Sequence, residues 1–293
     1  MADRARPIHY LQAALVLPAW GLFRVLPVGA ASALGSLLLR ALGPLTKPHR
    51  IAADNLRRAF PDKSEAEITA ILRGMWDNLG RNVGELPHLA EIADPRSGRV
   101  EVIGAEHIAQ ARDDGRPGLF VGGHFANWEL MPFTFKHASM AMHVFYRAPN
   151  NPLVDRWFRK VHAGGGGELL PKGRDGARRG LELLRAGEHL GVLIDQKMND
   201  GIAVPFFGRN AMTAPALVQM AVKYDAPVVP MYIMRLGGCR FRVVAEPPLP
   251  MVRTPDGKAD LQASLRAVNG RLEAWIRENP EQWLWVHRRW PKS

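Results

Sequence analysis

The chain has 293 residues, 47% of them hydrophobic and 23% charged, enough for one large α/β domain or two small ones. Its 39 lysines and arginines outnumber 28 acidic residues, and the net charge of +11 favours a polyanionic partner: nucleic acid, anionic lipid or an acidic protein. The single cysteine excludes an internal disulfide framework and fits a reducing compartment, and ten scattered histidines offer no zinc-like spacing, so no metal is expected.

Residues 1–9 are polar and basic; positions 10 to 45 are then nearly all apolar, broken by Arg24, Arg40, Pro18, Pro27 and Pro44. A spanning helix needs about 20 apolar residues in a row, and the runs 11–23 and 25–39 are both shorter. A charge in mid-span costs about 2.5–3.5 kcal/mol. The expectation is therefore a helical segment over residues 1–47 that lies in the membrane interface or re-enters it, ahead of a main domain over 48–293. A buried pair of core helices is the alternative. A cleaved signal peptide fits poorly, because the apolar stretch is too long and continues past Ala31.

From His49 the pattern turns amphipathic, with Ile51, Leu56 and Phe60 on one side of a helix that stops at Pro61. Ser64 followed by Glu67 reads as a capping box, opening a helix to about residue 89. Ile68, Ile71, Leu72, Met75 and Leu79 recur along it at core-facing spacing.

Strand and helix alternate from about residue 99. Strands are expected at VEVIG, GLFVGG, HVFYR, HLGVLID, PVVPMYIM and FRVVAE, and helices over 105–112, 125–137, 152–162, 176–186, 214–223 and 261–278. That order predicts an α/β fold, a mostly parallel mixed sheet flanked by helices. Cys239, in GGCRFRVV at a strand start, reads as packing rather than as a nucleophile. The glycine run 164–167 lacks both the P-loop ending and the dinucleotide spacing.

Within this frame the stretch 119–130, LFVGGHFANWEL, concentrates the chemistry. An apolar strand ends in Gly122 and Gly123, which let the backbone turn and leave room beside His124. His124 then sits at the carboxyl end of a strand, where open α/β sheets place ligands. A carboxylate such as Glu129, five residues on, can hold the ring by its Nδ1–H and free Nε2 to take a proton from a hydroxyl. A buried structural histidine beside a surface glutamate is the alternative.

Several stretches then coincide in order: NL..AFP at 55–61, HFANWE at 124–129, YRAPNNP at 146–152, DQKMNDGIAVPFFG at 195–208, VVPMY at 228–232 and QWLWVHRRWP at 282–291. Over roughly residues 50–291 the chain resembles the bacterial late acyltransferases of lipid A assembly, the lauroyl and myristoyl transferases within the glycerolipid acyltransferase superfamily. The resemblance implies an acyltransferase domain over 48–293 that moves a fatty acyl group from acyl carrier protein to a hydroxyl of a lipid A precursor. No acyl-enzyme and no cofactor are implied, and there is no G-x-S-x-G nucleophile elbow.

By the same resemblance His124 is the base and Glu129 its orienting, charge-stabilising partner. Arg147 matches the arginine that grips the acceptor's phosphate, a task suited to a planar guanidinium. Asp195 and Gln196 stand in the place of the third motif, where the superfamily often carries Pro-Glu-Gly and this chain does not. Asn150 and Asn151 are candidates for binding sugar or amide groups, or simply form the turn before Pro152. Arg174, with Lys172, is a candidate phosphate ligand or part of a solvated face. Asn127 and the backbone N–H groups after the turn are the oxyanion candidates. The implied partners are acyl carrier protein, an anionic glycolipid acceptor and the membrane surface, not nucleic acid, with the enzyme on the cytoplasmic face of the inner membrane. Late tryptophans, Trp275, Trp283, Trp285 and Trp290, suit either a headgroup interface or core packing. Rival readings are the same chemistry on a lysophospholipid, an aminolipid or a glycosylated phosphoinositide, a hydrolase, and a non-catalytic basic protein that binds membranes or nucleic acid.

Overall fold

The computed structural model describes residues 6–291; the basic residues 1–5 of the N-terminal stretch lie outside the described residues. Helices α1 (Pro7–Val25) and α2 (Val28–Leu42) come first, parted at Pro27, and are followed by α3 (Lys47–Ala59), α4 (Glu65–Glu85) and α5 (Leu89–Ala93). The capping box is present. Glu67 N–H donates to Ser64 Oγ at 3.3 Å, and the Glu67 carboxylate accepts from the Ser64 N–H at 2.9 Å. The helix it opens ends at Glu85 rather than near 89, because Pro87 lacks the N–H that the next turn needs and a short 3-10 turn, Leu86–His88, takes over.

Helix α2 is two-faced. Ala31, Ser32, Gly35 and Ser36 are buried, and Gly35 lies so close to Gly80 of α4 that a Cβ on either would strike the other's backbone. Its other side leaves Leu37, Leu38 and Leu42 exposed, continuing an apolar surface that α1 begins with Ile8, Leu11, Leu22 and Val25. Val28–Leu45 is long and apolar enough to cross a membrane by length and composition, with 33% of it buried within the protein.

The alternating part runs β1 (Val100–Ile103), α6 (Ala105–Asp113), β2 (Leu119–Gly122), α7 (Met131–His137), β3 (Met142–Tyr146), α8 (Pro152–His162), β4 (Leu169–Pro171), α9 (Arg174–Arg185) and β5 (His189–Leu193). A hairpin of β6 (Ile202–Phe206) and β7 (Arg209–Thr213) interrupts it before α10 (Ala216–Tyr224), β8 (Val228–Gly237), β9 (Arg240–Ala245) and the long α11 (Leu261–Glu278). Seven strands form one sheet in the order β1-β9-β8-β2-β5-β3-β4. Every neighbouring pair is parallel except β8 with β9. The fold is therefore the α/β class with the mostly parallel, helix-flanked sheet that the alternation predicts.

Strand β2 is buried along its whole length, as a strand covered on both faces must be. Leu119 and Val121 join the core shared with Leu265, Val268 and Leu272 of α11, and Phe120 joins Phe133, Phe135 and Met142 on the other side. Strand β4 of the sheet and the separate two-stranded hairpin lie outside the sequence expectation. Strand β4 has only three residues, and the β6–β7 hairpin turns at Phe207 and Gly208, both at positive φ, without the Asn-Gly signature of such a turn.

The late tryptophans settle as core. Trp275, Trp283, Trp285 and Trp290 are all buried, and each indole N–H has a polar partner inside the protein. An interfacial place for them is thereby corrected: rings packed on Phe125, Phe206 and Phe207 are not available to headgroups.

The order of strands decides where the chemistry lies. Strand β5 sits between β2 and β3, although β3 follows β2 in the chain. The residues leaving the carboxyl ends of β2, β5 and β3 are thus neighbours along one sheet edge.

Candidate active site

His124 follows β2 and Asp195 follows β5, two residues beyond the paired positions Gly122 and Leu193. Register alone therefore sets the two side by side. His124 Nδ1 lies 2.8 Å from Asp195 Oδ1, and the His124 backbone N–H donates to Asp195 Oδ2 at 2.7 Å. The same Oδ2 accepts from the Trp283 indole N–H at 2.7 Å. A carboxylate only accepts, so Nδ1 carries the proton and Nε2 keeps its lone pair. That lone pair faces the Gln196 amide Nε2, 3.3 Å away. Asp195 is buried, with 2% of its side chain exposed, whereas 17% of the His124 side chain reaches solvent.

Burial works against both charges, and pairing overcomes it. Burial alone would raise the Asp195 carboxyl, but the His124 charge, its two hydrogen bonds and that of Trp283 hold it down to about 2. Burial likewise lowers the His124 imidazole, yet Asp195, with the charge of Glu129, brings it above the ordinary value.

Glu129, expected to orient this ring, hydrogen-bonds elsewhere, and the orienting carboxylate is Asp195. Glu129 Oε2 accepts from His162 Nε2 at 2.7 Å and Oε1 from Trp128 Nε1 at 3.0 Å. The reason lies in the turn. The helix expected from 125 starts later, as a 3-10 turn at Trp128–Leu130 and then α7, so residues 124 and 129 never share one helical face. The residue in the left-handed region is Ala126, at φ 42, and neither Gly122 nor Gly123 needs a positive φ. The glycines give room instead: a Cβ at Gly122 would lie 2.5 Å from the Met231 carbonyl oxygen, and one at Gly123 3.1 Å from Asp195 Oδ2.

A buried polar clamp holds that turn. Asn78 and Asn82 of α4 both donate to the Ala126 carbonyl, while the Ala126 N–H donates to the Gln282 carbonyl at 2.9 Å. Arg235 of β8 donates to Glu85 at 3.0 Å, Asn82 at 2.7 Å and Asn78 at 3.0 Å, and Glu85 also accepts from Ser32 of α2 at 2.7 Å. Glu85 is 0% exposed, and a buried pair of this kind loses about 3–5 kcal/mol when one partner is removed.

Asn127 belongs to the clamp, which corrects its reading as an oxyanion donor. Its Nδ2 donates to Glu85 at 2.9 Å and the side chain is fully buried. Asn151 is corrected in the same way. Its Oδ1 caps α8 by accepting from the Leu153 and Val154 N–H groups at 3.0 and 3.4 Å, and its Nδ2 donates to the His9 carbonyl of α1 at 2.8 Å. Both ends are occupied, as in the turn-forming alternative.

The other expected residues lie at the sheet edge without entering the His124–Asp195 pair. Arg147 follows β3 and Arg174 follows β4, both exposed. Asn150 is exposed in the bend before α8, and Gln196 is exposed above the imidazole. Cys239 is packing, as expected: it is buried, and burial raises its thiol. A cleft of 640 Å³ opens elsewhere, between α4 and the 280–282 turn, and the His124–Asp195 pair does not line it.

Three residues at or beside the site carried no local signal. Trp283 and His287 stand in the QWLWVHRRWP stretch with no chemistry marked on them, and His162 ends an ordinary amphipathic helix. The His287 ring lies 6.4 Å from that of His124, centroid to centroid.

An imidazole with one nitrogen fixed on a buried carboxylate and the other open at a sheet edge is the arrangement of a general base acting on a hydroxyl or water. Matches with other proteins specify the class. The chain belongs to the bacterial lipid A biosynthesis acyltransferase family, whose sequence profile matches residues 2–292, and it is an acyltransferase. It is 26% identical over 259 residues to a lipid A biosynthesis acyltransferase of Haemophilus influenzae, covering 84% of this chain and 76% of that protein. With the lipid A biosynthesis lauroyltransferase of Escherichia coli the identity is 28% over 261 residues, covering 87% and 82%. With the myristoyltransferase of the same organism it is 26% over 242 residues, covering 81% and 73%. The crystal structure of PlsC, a 1-acyl-sn-glycerophosphate acyltransferase from Thermotoga maritima, matches 91% of this chain and 100% of that one at 17% identity, with a TM-score of 0.40 too low to support any conclusion.

Proposed function

We propose that this protein transfers a fatty acyl group from the thioester of acyl carrier protein to a hydroxyl of a lipid A precursor, at the cytoplasmic face of the inner membrane. The observation that carries this reading is the His124–Asp195 pair, which leaves a lone pair on Nε2 at an accessible sheet edge. The acceptor hydroxyl takes the place of the Gln196 amide and gives its proton to Nε2. Its oxygen bonds to the thioester carbon, the C–S bond breaks, and the proton passes from the imidazolium to the departing thiolate. Asp195 fixes the tautomer and stabilises the cation formed in that step. No covalent acyl-enzyme is required.

Arg147 and Arg174, exposed beyond the ends of β3 and β4, suit the phosphates of the acceptor. The exposed leucines of α1 and α2 suit the hydrocarbon edge of a bilayer, and basic side chains near an anionic leaflet add about 1 kcal/mol each. The basic surplus suits an acidic carrier protein equally well.

The test is transfer of a labelled acyl chain from acyl carrier protein to a lipid A precursor or to a lysophospholipid. Transfer to the lipid A precursor is expected, and His124→Ala is expected to remove about 10²–10⁴ of the rate with the fold intact by circular dichroism. Acylation of the lysophospholipid alone overturns the acceptor assignment. Fatty acid release undiminished by saturating acceptor overturns transfer in favour of hydrolysis.

A further inference from the structure

The loop that carries His124 has committed several of its donors within the protein. The His124 N–H is on Asp195, the Phe125 N–H on the Gly123 carbonyl and the Ala126 N–H on the Gln282 carbonyl. The Asn127 amide is on Glu85. Acyl transfer from a thioester still places a full negative charge on the carbonyl oxygen, and a donor for it supplies about 10²–10³ in kcat. None of these four is free for that task, and an imidazole on a neighbouring segment stands close enough to supply it.

We propose that His287 is this donor: a second catalytic imidazole whose ring N–H binds the thioester carbonyl oxygen as it becomes an oxyanion. The proposal rests on the reading of His124 as the base. The two rings are 6.4 Å apart between centroids and tilted by 56°. That gap takes the two oxygens of one tetrahedral carbon, the incoming one on His124 Nε2 and the oxyanion on His287, each at about 2.7–3.1 Å from its nitrogen. His287 is exposed, so an acyl thioester can reach it.

Its backbone is nevertheless fixed. The buried Asn55 amide of α3 donates to the carbonyls of both Trp285 and His287, at 2.8 and 2.7 Å. The Leu284 N–H donates to the His124 carbonyl at 3.1 Å, and Phe125 and Trp283 form an antiparallel bridge. Both imidazoles are thus mounted on one stitched pair of segments, whose backbones cannot part without breaking that bridge. The charges suit a neutral donor. Partial burial, then the nearby His124 and Arg147 charges, hold the His287 imidazole below its ordinary pKa against the opposing pull of Asp195. A neutral ring donates a hydrogen bond without competing for the proton that His124 takes.

The reaction balances without a new reagent. The hydroxyl proton goes to His124, the carbonyl electron pair moves to the oxygen held by His287 and then returns, and the C–S bond breaks with the thiolate receiving the proton from His124. His287 neither gains nor loses a proton.

The experiment measures transfer from acyl-loaded acyl carrier protein to a lipid A precursor by the full chain and by His287→Ala, His287→Phe, His287→Gln and His124→Ala. His287→Ala and His287→Phe are each expected to lower kcat by about 10²–10³ with KM within a few-fold, the mark of an interaction made only in the transition state. His287→Gln keeps an N–H donor and is expected to recover at least about tenfold of that loss. The acid limb of the pH profile, set by His124, is expected to persist in all three. Ala and Gln variants of equal rate, a Phe variant as active as Gln, or loss of the acid limb would each overturn the proposal, the last by making His287 the base. Full activity in His287→Ala with His124→Ala inactive sinks this inference alone. An active His124→Ala sinks the underlying reading and this one with it.

Discussion

Two histidine–carboxylate pairs flank the 124–129 turn, built from the same groups at almost the same distance, 2.8 Å for His124–Asp195 and 2.7 Å for His162–Glu129. Their surroundings make them opposites. His124 gives Nδ1–H to the carboxylate and keeps Nε2 open. His162 has a carboxylate on Nε2 and the Phe158 carbonyl, at 2.9 Å, on Nδ1. Both of those partners only accept, so His162 is an imidazolium with no lone pair left to act as a base. Burial lowers its pKa, but Glu129 and Phe158 outweigh that and raise it. A histidine beside a carboxylate is therefore a base or a structural cation according to what its second nitrogen meets.

Removing Asp195 breaks the first pair with the largest expected effect after loss of His124 itself. In Asp195→Asn the imidazole loses the partner that fixes its tautomer, and kcat is expected to fall by about 10²–10⁴. The pH profile tells whether the pair acts as described. The base must be neutral, so kcat/KM of the native protein rises as pH climbs through a His124 pKa that lies above 6.5. Without the Asp195 charge, burial dominates and the imidazole pKa falls. The acid limb is expected to move to lower pH while the plateau drops. A limb that stays in place would mean that Asp195 does not govern the titrating base.

The second pair answers differently. Glu129→Ala takes away the carboxylate that holds the second proton on His162, 2% exposed, so that ring turns neutral with Nε2 unpartnered, and it releases the Trp128 ring that leans edge-on against His124 with centroids 5.0 Å apart. Activity and stability are expected to fall together, stability by about 1–3 kcal/mol, the cost of a buried polar group left without its hydrogen-bond partner. His124→Ala, by contrast, is expected to lose activity with little change in Tm. The double variant Glu129→Gln with His162→Gln can pair amide with amide and is expected to recover most of the stability. The sign of the pH effect also follows. A histidine raised on folding stabilises most below its unfolded pKa of about 6.5. The native protein is expected to lose that share as pH rises through the folded His162 value, whereas the double variant keeps only the His124 share of the slope. Denaturant unfolding across that range checks both.

Much of the frame was legible in the chain. The Ser64–Glu67 box, the six strands named from their apolar runs and the last helix, Leu261–Glu278, rest on local propensity and periodicity. His124 at a strand end was legible for the same reason. Its partner was not. Asp195 stands 71 residues away, and only the insertion of β5 between β2 and β3 brings it to the ring. Glu129 looked like the partner because it is near in sequence, but nearness there presumes a helix from 125, and Ala126 at φ 42 bends the chain another way. The buried clamp of Glu85 and Arg235 was hidden likewise, since its members lie 150 residues apart. Local signals place elements; sheet order and register choose the catalytic neighbours.

Asn151 sharpens the contrast at the small end of the scale. An asparagine in YRAPNNP invites a substrate role, yet its Oδ1 serves two N–H groups at the start of α8 and its Nδ2 ties that helix to α1. Loss of an N-cap of this type costs about 1 kcal/mol. Asn151→Ala is expected to lower unfolding free energy by about that amount, with KM for the lipid acceptor unchanged. Asn151→Asp keeps the capping oxygen and is expected to recover the cap, while losing the donor to the His9 carbonyl. A raised acceptor KM at undiminished stability would return Asn151 to the binding surface. Because α8 also carries His162, a frayed first turn is expected to leave the His162–Glu129 pair, three turns further on, intact.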